Sequence, residues 1–309
     1  MKKFLQVLLV LAIVGGCLYY FFGRPVKADL PESDNYTPVV SHYSYDALTT
    51  DEAREVYEKI ERNAYKQPDK DRELCSFDDV DETQFYLGFK AFRDDHPDAF
   101  WLSMGYSRTG LKVTSCNVLS RYPKEELKEM KDDFKTNLEE FLDSVPGGLS
   151  DEELEEYTHD YLMDCCEYDD EALHDYETLE DETSERLMIA GSAYGALNGK
   201  AVCEGYAEAY QLLLNRVGVD CVVIQGTAEK PENYFFYEPT HAWNAVKNGS
   251  TWQMTDVTWD DGQSDIRRYY NLSIAEMMED HDARAIDMDT VHYSMFFGLV
   301  GDGNLFLPA

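Results

Sequence analysis

The longest apolar stretch of the chain is its beginning. From Phe4 to Phe22 the positions are hydrophobic apart from Gln6 and the pair Gly15-Gly16, and Lys2 and Lys3 precede them. That length approaches the roughly 20 residues that cross a bilayer. Cationic flanks stay inside, so everything after Arg24 is expected to be exported. Three fates are open: an uncleaved anchor, cleavage after Val26-Lys27-Ala28, where a signal peptidase reads small or apolar residues, and lipidation at Cys17 in Val14-Gly15-Gly16-Cys17. Residues 1–28 are assigned to this signal or membrane anchor. Residues 29–44, a polar mixture with Pro31 and Pro38, form a linker.

Amphipathic periods begin near Tyr45. Behind Thr50, a cap residue, Ala53, Val56, Tyr57 and Ile60 recur at helical spacing. FWLSMGYS from Phe100 and LKVTSCNV from Leu111 alternate like strands, joined around Arg108-Thr109-Gly110 as a hairpin. Two acidic amphipathic helices follow, one from about Lys124 to Leu142 and one opened by Ser150 with Glu153 completing a capping box; Pro146-Gly147-Gly148 separates them. Residues 45–148 therefore read as an N-terminal accessory α/β region and 149–309 as a second domain. The stretch from Glu167 to Glu185, dense in acid and poor in apolar anchors, reads as an exposed loop or lid margin. After Cys203, residues Ala209, Leu212, Leu213 and Val217 keep a helical period that Gly218 ends. HAWNAVK from His241 and STWQMTDV from Ser250 are strand-like runs around Asn248-Gly249, a strong hairpin signal.

Composition narrows the function. With 61 Asp and Glu against 27 Lys and Arg, the chain of 309 residues carries a formal charge of −34, which argues against a nucleic-acid binder and disfavours anionic lipids or acidic substrates. At 44 % hydrophobic residues it still has the material for a packed core. No Asp/Asn series has calcium-loop spacing, neither GxGxxG nor GxxxxGK[ST] occurs, and the seven cysteines fit no zinc pattern, so neither metal nor cofactor is expected. In an exported protein some cysteines can oxidise, and Cys75 with Cys116 is the pair to examine first.

The candidate chemistry lies between Cys203 and Asp256. A cysteine opening a helix meets unpaired N–H groups and the positive end of the macrodipole, which favour a thiolate and can cradle an oxyanion. A two-residue turn at Asn248-Gly249 pairs Lys247 with Ser250 and, counting back, sets His241 opposite Asp256. Directly opposed residues have Cβ atoms about 4.5–5.5 Å apart, so the carboxylate can hold one imidazole nitrogen and leave the other for Cys203. Tyr206 and Trp243 are candidates to line a substrate cleft. The remaining histidines, His42, His96, His159, His174, His281 and His292, have no comparable arrangement and are assigned structural roles.

GKAVCEGYAEAYQLLLNRVGV, HAWNAV and WQMTDVTWDDG resemble the three core motifs of bacterial transglutaminase-like proteins, over about residues 187–262. YYNLSIAEMMEDH from Tyr269, HDYL from His159 and DDHPDAFWL from Asp94 are similar to accessory segments of such proteins. The resemblance implies an α+β, papain-like core in which a nucleophile helix packs on an antiparallel sheet, and makes 149–309 the catalytic domain. It implies Cys203 as nucleophile, His241 as general base and then acid, and Asp256 as orienting carboxylate. The expected activity is acyl transfer or hydrolysis of protein or cell-wall peptide amides through a thioester, at or outside the membrane. Whether amine or water is the acceptor stays open. A non-catalytic binding or scaffold module of the same fold is the alternative; the export signal counts against acyl-coenzyme donors.

Overall fold

The computed structural model describes residues 42–282 apart from 67, 71, 79, 110–111, 180–184 and 229–240. The apolar N-terminal segment and the linker up to residue 41 therefore lie outside the described residues, as does His292. No helix among the described residues is long and apolar enough to cross a membrane.

The accessory region begins with α1 (Tyr43–Ala47) and α2 (Asp51–Glu61). Thr50 caps α2 as expected, its hydroxyl accepting from the Ala53 N–H, and Ala53, Val56, Tyr57 and Ile60 form the buried stripe. β1 (Glu73–Asp78), α3 (Glu82–Asp95), β2 (Leu102–Thr109) and β3 (Lys112–Ser120) follow. The predicted hairpin is β2–β3, and β1 joins it to give an antiparallel sheet in the order β1-β3-β2. Cys75 pairs in register with Val118 and Cys116 with Phe77. The two cysteines, the pair singled out for examination, are diagonal neighbours, both buried and both in the thiol form.

At the end of α3 the DDHPD segment is buried as a polar knot. Asp95 accepts from the Ser44 and Tyr45 N–H groups and from the Tyr57 hydroxyl, while His96 stacks on Phe92 at 4.0 Å. Burial pushes the Asp95 carboxyl up to about 7 and the His96 imidazole down to about 3.

Helices α4 (Lys124–Ser144) and α5 (Asp151–Cys165) match the two predicted acidic helices, and α5 carries the full Ser150–Glu153 capping box. The acid-rich stretch after it is not a plain loop. It forms β4 (Glu167–Tyr168) and α6 (Asp170–Leu179), because Asp169 accepts from the Ala172 N–H and the acids of the first turn suit the helix dipole. Then come α7 (Glu185–Ala190), α8 (Ala193–Leu197), β5 (Lys200–Ala201), which pairs with β4 in parallel, and α9 (Cys203–Val217).

α9 is the central helix. Residues from Gly205 to Leu214 are buried on every side, and Gly218 ends it in the left-handed conformation at φ 92°. It packs on an antiparallel sheet of β6 (Cys221–Ala228), β7 (His241–Asn248), β8 (Thr251–Thr255) and β9 (His281–Asp282), in the order β8-β7-β6-β9. The short helices α10 (Val257–Asp260) and α11 (Ile274–Met277) lie between β8 and β9 in sequence. One hydrophobic core runs from Leu48 to Met277, so the accessory region and the α9 layer share an interior. Polar side chains also tie them: Arg93 donates to Glu208 at 2.7 Å and Gln211 to the Asp94 carbonyl at 2.6 Å.

Candidate active site

Cys203 is the first residue of α9 and is partly exposed. The first bond of the helical ladder runs from Tyr206 N–H to Val202 carbonyl, which leaves the N–H groups of Cys203, Glu204 and Gly205 outside it. Gly205 is dictated by packing, since a Cβ there would collide with the Ala190 carbonyl and stand 3.0 Å from that of Ser192. Asn244 of β7 donates to the Ala207 carbonyl at 3.0 Å, and Ala242, Val223 and Ala207 pack together. These contacts seat β7 against the first turns of α9 and bring His241 to Cys203.

His241 and Asp256 meet, but not through the expected register. β7 pairs with β8 as Asn248 with Thr251, Lys247 with Trp252 and onward to Asn244 with Thr255. The turn is therefore Gly249-Ser250, and the same register continued sets Asp256 across from Trp243. Gly249 has φ 63°, while no non-glycine residue there has positive φ, the pattern of a type II′ turn rather than the I′ turn of Asn-Gly. Asn248 is drawn into the strand by its side chain, which donates to Glu155 of α5 at 2.6 Å, to Gln253 at 3.1 Å and to Asn271 at 3.2 Å. Because the shift in pairing is two residues, face parity is kept, and His241 and Asp256 become diagonal neighbours.

Asp256 has also left the strand. It is the N-cap of α10, its Oδ1 accepting from the Trp259 N–H at 3.1 Å. Its Oδ2 accepts from His241 Nε2 at 2.7 Å, which leaves the Nδ1 side of the ring for Cys203, a residue near enough to favour charge on the imidazole. Burial works against charge on His241, yet the Asp256 carboxylate, its hydrogen bond and the nearby Cys203 outweigh it and hold its pKa up at about 10. For Asp256, burial is outweighed by the His241 charge and by bonds to His241 and His281, which bring it down to about 2.

His281, assigned a structural role from sequence, lies in this site. Its Nε2 is 3.0 Å from the same Asp256 Oδ2, and its Nδ1 is 2.8 Å from Asp280 Oδ1. His241, Asp256 and His281 are the described side chains placed to hold a metal ion, with donor atoms within 4.8 Å of one another. Separations of 2.7 and 3.0 Å are those of charge-assisted hydrogen bonds. Ligands about 2.0–2.1 Å from a tetrahedral zinc stand roughly 3.3 Å apart.

The two cleft candidates are buried. Tyr206 is 1 % exposed, and its hydroxyl donates to Asp261 at 2.5 Å; it cements the helix to the turn after α10 instead of facing a cleft. Trp243 is 1 % exposed and stacks on His241 at 5.9 Å, so it walls the imidazole from within.

A second polar group was invisible in the sequence. Arg267 donates to His159 Nδ1 at 2.7 Å. On the other side of the ring, His159 Nε2 stands 3.0 Å from Asp260 Oδ2. Together with Glu155, which also accepts from Thr255 at 3.1 Å, it pins α5 to the segment that carries Asp256. HDYL contained the signal in His159, but its partner Asp260 is 101 residues away.

Residues 141–257 match the model of the transglutaminase-like superfamily. This stretch is a transglutaminase-like domain. The superfamily is one of cysteine-dependent acyltransferases and peptidases. The kyphoscoliosis peptidases of Mus musculus and Homo sapiens are 34 % and 33 % identical to the chain over 70 residues, which is 21 % of this chain and 11 % of each relative. The chain thus matches about a tenth of the length of those proteins. A crystal structure of a TGase aligns at 17 % identity with a TM-score of 0.31, covering 51 % of this chain and 43 % of that one. The helix start with Cys203, the strand with His241 and the cap at Asp256 all fall inside the transglutaminase-like domain.

Proposed function

We propose that this chain is a cysteine acyltransferase or peptidase acting on protein or cell-wall peptide amides, tethered at or released from the outer face of a membrane by residues 1–28. The observation that supports it is the hydrogen-bonded pair His241–Asp256 set beside Cys203 at the N-terminus of α9. The Cys203 thiolate attacks a carboxamide carbon, and negative charge on the carbonyl oxygen is met by N–H groups at the helix start. His241 gives its proton to the leaving ammonia or amine, and a thioester remains. Water or a second amine, deprotonated by His241, then releases the acyl group and restores the thiol. Asp256 keeps the imidazole in the orientation both steps require.

The test is mass spectrometry of cell-surface proteins incubated with wild type and with Cys203→Ala. Cross-links, deamidation or cleavage are expected with wild type alone, and an unchanged melting temperature shows that the variant is folded. Identical protein patterns with both would favour the non-catalytic module.

A further inference from the structure

The site does not end at Asp256. Strand β6 carries a histidine strand on each edge: Gly226 pairs with His241 on β7, and Ala228 pairs with His281 on β9. The two imidazoles converge on one carboxylate oxygen, at 2.7 and 3.0 Å. His281 is 1 % exposed and held by rings, with Trp259 at 4.6 Å, Trp243 at 4.9 Å and Tyr269 at 5.5 Å. Behind it Asp280 takes Nδ1, and the Tyr269 hydroxyl donates to the other Asp280 oxygen at 2.9 Å. The titratable groups around it are thus His241 on β7, Asp256 at the end of β8, Tyr269 before α11, and Asp280 and Asp282 beside it. His281 lies outside the residues 141–257 that match the family.

We infer that His281 is a positioning residue for the thiol chemistry: donating from Nε2 to the Asp256 oxygen that also receives His241, and held at Nδ1 by Asp280, it fixes the carboxylate that aims His241 at Cys203. An ionised carboxylate only accepts, so both imidazoles present N–H to it. The Trp259 N–H secures Oδ1; without His281, Oδ2 has among the described residues only the imidazole it is meant to orient. In a site closed by aromatic rings, a hydrogen bond to that oxygen is strengthened by the low dielectric. The inference rests on the reading of Cys203 as a nucleophile.

The experiment uses the whole chain and two amides that differ in reach. Glutamine places its N–H₂ where Nε2 stands and can reach Asp256; asparagine matches Nδ1 and reaches only Asp280. The rate at which iodoacetamide alkylates Cys203 is followed against pH by mass spectrometry of its peptide. His281→Asn is expected to slow alkylation at neutral pH about tenfold, the factor of a lost hydrogen bond to a charged group, and to move the acid limb of the profile upward. His281→Gln is expected to restore the wild-type profile. Wild-type behaviour of His281→Asn, or a glutamine variant as slow as the asparagine one, overturns the inference while Cys203 remains reactive in wild type. A wild-type Cys203 that reacts no faster than cysteines of the unfolded chain overturns the functional reading, and this inference with it.

Discussion

Asp256 does three jobs with two oxygens: it caps α10 through Oδ1 and receives His241 and His281 on Oδ2. Asp256→Asn keeps an oxygen for the cap but replaces an acceptor by a donor, or turns the amide and loses the cap. Turnover is expected to fall by about ten-thousand-fold, as when the orienting carboxylate of a triad is neutralised, with a cooperative unfolding transition retained; a variant within twofold of wild type would show that the carboxylate does not orient His241. The pair also leaves a signature in stability. Asp256, lowered to about 2 from 3.8, adds stability that is present above pH 3.8 and lost as pH falls toward 2. His241, raised to about 10 from 6.5, adds stability that is full below pH 6.5 and lost as pH rises toward 10. The stability gap between wild type and Asp256→Asn is therefore expected to be widest between pH 4 and 6.5 and to narrow by pH 10, measured by urea unfolding. A gap that is constant between pH 5 and pH 10 would contradict the ion pair.

At the scale of elements, the β7–β8 hairpin shows how tertiary contacts choose among local options. Asn248-Gly249 and Gly249-Ser250 are both acceptable turns by sequence. The second wins because Asn248 in the strand reaches Glu155, Gln253 and Asn271. Gly249 has φ 63° and open space around its missing Cβ, so Gly249→Ala tests backbone strain without a clash. It is expected to cost about 1–2 kcal/mol, the penalty of a left-handed residue, seen in denaturant unfolding. No loss would show that the turn is elsewhere. The same balance explains α6. Its apolar positions are few, Ala172, Leu173, Tyr176 and Leu179, and the Asp169 cap and the parallel pairing of β4 with β5 just before it help to hold the segment in place.

For the whole molecule the acidic excess dominates. A formal charge of −34 on one chain is self-repulsive, and several acids are buried: burial pushes Asp95 up to about 7 and raises Glu208 against the pull of Arg93. Such groups add stability that is full below their ordinary values and lost as pH rises through 7. Raising salt from about 10 to 300 mM, which shortens the Debye length from about 30 Å to below 8 Å, is expected to raise the melting temperature at pH 8.5. Lowering pH from 8.5 to 6.5 is expected to do the same; a fall in either scan would mean that charge repulsion and the buried acids do not limit stability. Periodicity, caps and turn residues determined α2, α4, α5, the β2–β3 hairpin, α9 and its end at Gly218, because each depends on neighbours within a few positions. The motif spacing likewise named Cys203, His241 and Asp256, since helix start and hairpin are local signals. What the sequence alone did not determine needed partners far away in the chain. The turn register depends on Glu155, 93 residues before Asn248, and the burial of Tyr206 and Trp243 on a core assembled from several segments. His281 joins the site only because β9 finds β6 across more than fifty residues, and no local pattern of two strand residues encodes that pairing.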